Sequence, residues 1–159
     1  MNQEIFVGHT RILPSIKAKL FHREDFGRTK FNDFTFRCRP ETEIAFSDWL
    51  ESIYFGISVS MSSMINLRAR SIIPHTDDSV GVSSTRWSIF CHFTKIREEP
   101  ITLSVISHDY KVHSVNLNPG ELALFRHSRI HMVTSHSEWR GFSSQVTVNS
   151  LSSAKAFTQ

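Results

Sequence analysis

The clearest helical periodicity in the chain runs from Thr42 to Phe55. Ile44, Phe46, Trp49, Leu50, Ile53 and Tyr54 recur three or four residues apart, Pro40 and Glu41 open the segment, and Gly56 stops it. Beyond Gly56 the pattern changes to short stretches rich in Val, Ile, Phe, Ser and Thr. These predict strands over Ile57–Met61, Met64–Arg70, Arg86–Phe93, Ile101–Ser107, Lys111–Leu117, Glu121–Phe125, Ile130–Thr134 and Phe142–Val148. Turn chemistry separates them, as in Asp77-Asp78-Ser79, Glu98-Glu99-Pro100 and Asn118-Pro119-Gly120. A helix followed by about eight short strands predicts a mainly β, double-sheet jelly roll or barrel rather than a parallel α/β sheet. The first forty residues mix apolar and basic positions and predict only short helix or strand.

Composition narrows the class. The 159 residues suit one hydrophobic core, and no repeat or Pro/Gly-rich linker divides them, so a single domain over 1–159 is expected. Thirteen Phe against two Tyr favour a dry core or pocket. The net charge of +3 comes mostly from early residues such as Arg11, Lys17, Lys19, Arg23 and Arg28. Glu24, Asp25 and Asp33 are interspersed, which reads as a solvated basic face before it reads as a surface for an anion. Cys38 and Cys91 form no CxxC pair or disulfide framework, and Cys91 sits in an apolar stretch as a small core residue. No segment has the length of a membrane span and no apolar signal core is present, so a cytoplasmic location is the expectation.

Nine histidines make metal chemistry worth testing, and one motif gives it a form. In Pro74-His75-Thr76-Asp77-Asp78, the residues two apart point to one side of an extended segment, so His75 and Asp77 can converge on one point. The best third ligand is His131, in a strand-like segment after the Asn118-Pro119-Gly120 turn. Two neutral imidazoles and a carboxylate hold Fe(II) on one face and leave open positions, whereas a four-ligand structural zinc site closes them. The competing reading is a surface turn at Thr76-Asp77-Asp78 and a strand-edge histidine at 131. The remaining histidines, His127 included, have no ligand spacing suited to strands. HExxH, P-loop, dinucleotide-binding glycine and GxSxG motifs are absent.

The downstream segment carries a resemblance. Asn118-Pro119-Gly120-Glu121-Leu122-Ala123-Leu124-Phe125, then His131-Met132-Val133-Thr134, then Arg140, follow the HxD pair in order. This resembles the Fe(II)/2-oxoglutarate dioxygenase superfamily over about residues 64 to 148. The resemblance implies a double-stranded β-helix with a supporting N-terminal helix, and Fe(II) held by His75, Asp77 and His131. It implies no catalytic side chain beyond these ligands. It also implies that Arg140 forks onto the far carboxylate of the cosubstrate 2-oxoglutarate. Phe142 stands where the family often has a serine, so Ser143 or Ser144 would supply the accompanying hydroxyl. Asn66, Arg68 and Arg70 occupy the strand where a tyrosine often stands. Facing inward, Arg68 and Arg70 could meet an anionic substrate or cosubstrate; facing water they would be ordinary. Arg86 has the same choice.

The expected reaction is hydroxylation of a C–H bond in a small-molecule or peptide substrate, anionic or carrier-bound substrates included, with release of succinate and CO2. Nucleic acid is disfavoured as a substrate because the second arginine of the demethylase branch is missing. The alternatives are a metal-binding, cupin-like enzyme that uses no oxo-acid, and a non-catalytic jelly-roll binding module. Neither the substrate nor the oligomeric state is legible from the residues.

Overall fold

Along the strand Trp87–Lys95, side chains alternate between two apolar environments, and that alternation organises the molecule. Trp87, Ile89 and Cys91 join one buried cluster and Phe90 joins another. A strand covered on both faces must lie in the middle of a layered structure. The computed structural model describes residues 3–8, 35–37, 40–59, 65–69, 71–76, 86–95 and 99–158, with the backbone alone for 35–37, 65–69, 93–95 and 142.

The described residues form eleven strands and two helices. They are β1 (Ile5–Gly8), β2 (Thr35–Arg37), α1 (Pro40–Ile53), β3 (Ile57–Val59), β4 (Ile65–Ala69), β5 (Ile72–His75), β6 (Trp87–Lys95), β7 (Ile101–Ile106), β8 (Val112–Leu117), β9 (Leu122–Arg126), β10 (Ile130–Thr134), β11 (Trp139–Val148) and α2 (Leu151–Ala156). A larger sheet runs β1-β9-β6-β11-β4-β2, with β3 also paired to β11, and a smaller sheet runs β5-β10-β7-β8. Every pairing is antiparallel. The fold is the expected mainly β jelly roll.

The two sheets face each other across a core of Ile72, Phe90, Leu103, Val105, Phe125, Val133, Trp139 and their neighbours. The outer face of the larger sheet is covered by α1, whose Phe46, Trp49 and Leu50 pack with Phe6, Trp87, Ile89, Leu124 and Val146. Pro40 lies at the start of α1, with Glu41 and Glu43 in its first turn, where acidic residues suit the positive end of the helix dipole. Gly56 follows with φ of +82°, the left-handed conformation that ends a helix at little steric cost. Ser150 caps α2 by accepting from the Ser153 N–H, and Phe157 beyond it stacks 4.6 Å from Tyr54. No described helix is long and apolar enough to cross a membrane.

The helix begins two residues earlier than the periodicity predicts, β1 and β2 fall within the first forty residues, where short helix or strand is expected without bounds, and β5 and α2 are not predicted. Ile5–Gly8 is short. Ile72–His75 contains a proline that argues against a regular strand. Thr35–Arg37 lies in a stretch without clear alternation. β11 starts at Trp139 rather than Phe142, because Trp139 is drawn fully into the inter-sheet core against Phe90, with ring centroids 5.4 Å apart. Met61, Met64, Arg70, Asp77, Asp78 and Cys38 lie outside the described residues.

At Gly141 a β-carbon would overlap the Cys91 carbonyl oxygen and approach the Trp139 ring to 2.7 Å. Gly141→Ala is therefore expected to destabilise the fold by about 1–3 kcal/mol, the usual cost of overpacking. At this size that lowers the thermal unfolding midpoint by roughly 3–10 °C. A calorimetric scan showing an unchanged midpoint would remove Gly141 from the close contact between β11 and β6.

Candidate metal centre

His75 and His131 are brought together by the pairing of β5 with β10. His131 is directly opposite His75, and Val133 is opposite Ile72. Between these pairs one residue on β10, Met132, opposes two on β5, Ile73 and Pro74, which is a bulge. Its consequence is geometric. In a regular strand, Ile72 and His75, three apart, would point to opposite faces. The extra residue lets Ile72 enter the inter-sheet core while His75 turns to the same side, beside His131. Pro74, which has no N–H to give a ladder, sits at this irregularity. Ile73 and Pro74 are exposed, and His75 is half-buried.

The two imidazoles have ring centroids 4.3 Å apart and planes inclined by 55°. The Nδ1 of His75 lies 2.8 Å from the Ile73 carbonyl oxygen, and the Nδ1 of His131 lies 3.2 Å from the Arg129 carbonyl oxygen. A carbonyl oxygen only accepts, so each Nδ1 carries the proton and each Nε2 carries the lone pair. Both histidines are thereby set in the tautomer that ligates through Nε2, with the backbone acting as the orienting partner metal-binding histidines usually have. His131 is buried, and its ring rests 4.9 Å from that of Phe125. The turn before it is tied down by Arg129, whose Nε donates to Glu4 at 3.1 Å, both side chains being largely buried.

Asp77, two residues beyond His75, lies outside the described residues. Among the described residues no three His, Cys, Asp or Glu side chains form a metal-binding group. The described part therefore supplies two adjacent imidazoles, each oriented by a backbone carbonyl. That donor set fits a facial two-histidine iron site that draws its carboxylate from the next residues of the chain.

The other expected site residues divide between faces of the larger sheet. β11 pairs with β4 in unbroken register, Arg140 opposite Arg68 and Phe142 opposite Asn66, the side chains of Asn66 and Arg68 lying outside the described part. Trp139 belongs to the inter-sheet core, and a β-carbon on Gly141 would point at its ring, so Trp139 and Gly141 share the inner face. Ser143 is opposite Phe90 and also faces inward, whereas Ser144 is opposite Ile89 and Val146 opposite Trp87, on the face covered by α1. Arg140, between Trp139 and Gly141, falls on that outer pleat. The structure brings His75 and His131 together, keeps Ser143 on their side, and sets Arg140 and Ser144 on the other.

Three residues outside the expected set, with Arg86, whose orientation the sequence left open, are grouped at the end of the inner face nearest His131. Ser88, opposite Phe125, has its Oγ 2.8 Å from the Nδ1 of His127, whose buried Nε2 has no hydrogen-bond partner among the described residues. Arg86 donates to Gln145 through Nη1 at 2.8 Å. Their signal in the sequence is the polar alternation Arg86-Trp87-Ser88-Ile89, which places polar groups on an inward face at one end of a strand. Cys91 lies on the helix side, where burial pushes its thiol pKa well above the usual value and keeps it inert.

No protein-family model and no curated protein sequence matches the chain. Solved structures do match in fold. The Pseudomonas putida prolyl-4-hydroxylase aligns at TM-score 0.64 and 10% identity, covering 94% of this chain and 95% of that one. SnoN, the non-haem alpha-ketoglutarate-dependent epimerase of nogalamycin biosynthesis, aligns at TM-score 0.61 and 9% identity over 91% of this chain and 78% of that one. AviO1 from Streptomyces viridochromogenes Tue57 aligns at 0.58 and 10% identity over 91% and 89%. At these identities the likeness establishes a shared jelly-roll fold.

The Glu4–Arg129 pair holds the segment whose carbonyl orients His131. Glu4→Gln is expected to weaken Co(II) binding, followed by its visible absorption, by up to about tenfold, the lower end for loss of an orienting partner. Unaltered Co(II) affinity would show that the turn keeps its shape without the ion pair.

Proposed function

We propose that this protein is a non-haem Fe(II) oxygenase that uses 2-oxoglutarate. The observation that carries the reading is the inward-facing cross-strand pair His75–His131, with both Nδ1 atoms on backbone carbonyls. Support comes from the fold shared with a prolyl-4-hydroxylase and an alpha-ketoglutarate-dependent epimerase. His75, Asp77 and His131 would hold the iron. When bound, iron supplies open coordination positions at which an oxo-acid and dioxygen can be activated together. The balanced reaction is substrate C–H plus O2 plus 2-oxoglutarate giving C–OH, succinate and CO2.

The chain's own residues provide orientation and exclusion of water. The bulge in β5 and the Arg129 carbonyl fix the two imidazoles, which limits motion of the ligands between turnovers. Phe125, Phe90 and Val105 line an apolar interior behind them, a dry surrounding that protects an oxidising centre from side reactions. The substrate is a small molecule or a peptide entering from the end where Ser88, His127, Arg86 and Gln145 are grouped. One observation favours a second reading, a cupin-like metal enzyme with no oxo-acid: Arg140 lies on the pleat away from the inter-sheet space.

Anaerobic Fe(II) titration with and without 2-oxoglutarate separates the two. The expected result is a weak visible charge-transfer band that needs both components and disappears in His75→Ala, Asp77→Ala and His131→Ala. Iron binding without a band on adding the oxo-acid would transfer the assignment to the cupin-like enzyme. Absence of any metal binding would leave a binding module.

A further inference from the structure

A chelated 2-oxoglutarate needs a cation for its distal carboxylate, and the inner face near the start of β11 offers none among the described residues. That region is packed with Trp139, Phe90, Leu103 and Val133, all buried. A carboxylate placed there would lose its water without a compensating partner. Arg140, nearby in sequence, is on the other pleat.

The metal end of the same face has what is missing. Arg86 precedes β6 on the inner side, and Gln145 stands on the inner side of β11 opposite Ser88. Ser88 is in turn opposite Phe125, whose ring touches that of His131. Arg86 therefore stands on the larger sheet at the end where the Phe125 and His131 rings meet, while His75 and His131 belong to the smaller one. Facing sheets are about 10 Å apart, a gap that a five-carbon dicarboxylate anchored at both ends can cross.

The neighbouring arginines are committed elsewhere. Arg129 is paired with Glu4, and the Arg126 guanidinium lies 4.7 Å over the Trp87 ring. Arg86 meets only the neutral amide of Gln145, and no carboxylate pairs with it among the described residues. A guanidinium only donates, so Gln145 accepts from Arg86 through Oε1 and holds the guanidinium in place. Ser143, two residues earlier on the same face, adds a hydroxyl.

We infer that Arg86, oriented by Gln145, holds the distal carboxylate of 2-oxoglutarate at the cleft mouth, in place of Arg140. The inference rests on the proposed oxo-acid chemistry, and its test separates the two. Wild type, Arg86→Gln, Gln145→Ala and Arg140→Gln are each loaded with Fe(II) anaerobically. Each is titrated with 2-oxoglutarate and with 2-oxobutyrate, which keeps the chelating end but lacks the distal carboxylate.

Arg86→Gln is expected to weaken 2-oxoglutarate binding by about tenfold to a hundredfold, the scale of a lost charged hydrogen bond, and to leave 2-oxobutyrate binding unchanged. Gln145→Ala should give a smaller loss with the same selectivity, and Arg140→Gln should change neither. The unfolding midpoint of Arg86→Gln should match the wild type, since Arg86 is exposed. Unchanged 2-oxoglutarate binding in Arg86→Gln, or selective loss in Arg140→Gln, would overturn the anchor while leaving the enzyme class intact. Equal loss for both acids in Arg86→Gln would also overturn it, by placing the effect at the chelating end. No band with either acid in the wild type would remove the enzyme class itself, and the anchor with it.

Discussion

The chemistry of this fold depends on the register between β5 and β10. A β-strand has a period of two, so one extra or missing residue exchanges its inward and outward sets. The bulge at Ile73 and Pro74 uses that rule to advantage. It allows an apolar residue to complete the core at one position and a histidine to face the same interior three positions later. Without it, either Ile72 or His75 would be turned to solvent. The core would then lose an aliphatic side chain, or the site would lose a ligand.

The same rule acts in β11 with the opposite result for Arg140. Trp139 is the largest fully buried side chain, and its placement against Phe90 and His92 commits the odd-numbered residues at the start of the strand to the interior. The pairing with β6 shifts between Arg140 and Gly141, while the pairing with β4 does not. Gly141 tolerates the close approach of the Cys91 carbonyl that this requires. Burying an indole secures more apolar area than any other single choice here, and the adjacent arginine takes the remaining face.

The jelly roll was legible because short strands, turn residues and one amphipathic helix all indicated it. His75 was singled out by its HxD spacing and His131 by its place after the Asn118-Pro119-Gly120 turn, and the pairing of β5 with β10 brings these two side by side, while Asp77 lies outside the described residues. What could not be read was any feature set by pairing between distant segments. A bulge leaves no mark in the pattern of a four-residue strand, and a proline there argues against a strand altogether. Spacing of nine residues from His131 to Arg140 contains no information on which pleat the arginine occupies. That depends on whether Trp139 or Arg140 gains more from the core. Arg86 and Gln145 are 59 residues apart, and only the adjacency of β6 and β11 makes them neighbours.

An anchor at the mouth changes what the apolar interior is for. If the cosubstrate ran deep between the sheets, the space around Phe90, Leu103, Val133 and Trp139 would have to admit a charged end. These side chains are instead buried against one another, and interior packing of that kind resists opening because each lost contact is uncompensated. A cosubstrate laid across the cleft from His75 and His131 toward Arg86 keeps both its charged ends near solvent and leaves the core intact. It would also bring the oxo-acid beside His127, whose buried Nε2 has no hydrogen-bond partner among the described residues. A substrate or product oxygen reaching that nitrogen would satisfy it, so in the proposed chemistry the polar group at this end of the fold would meet two demands at once: charge neutralisation of the cosubstrate and orientation of what is oxidised.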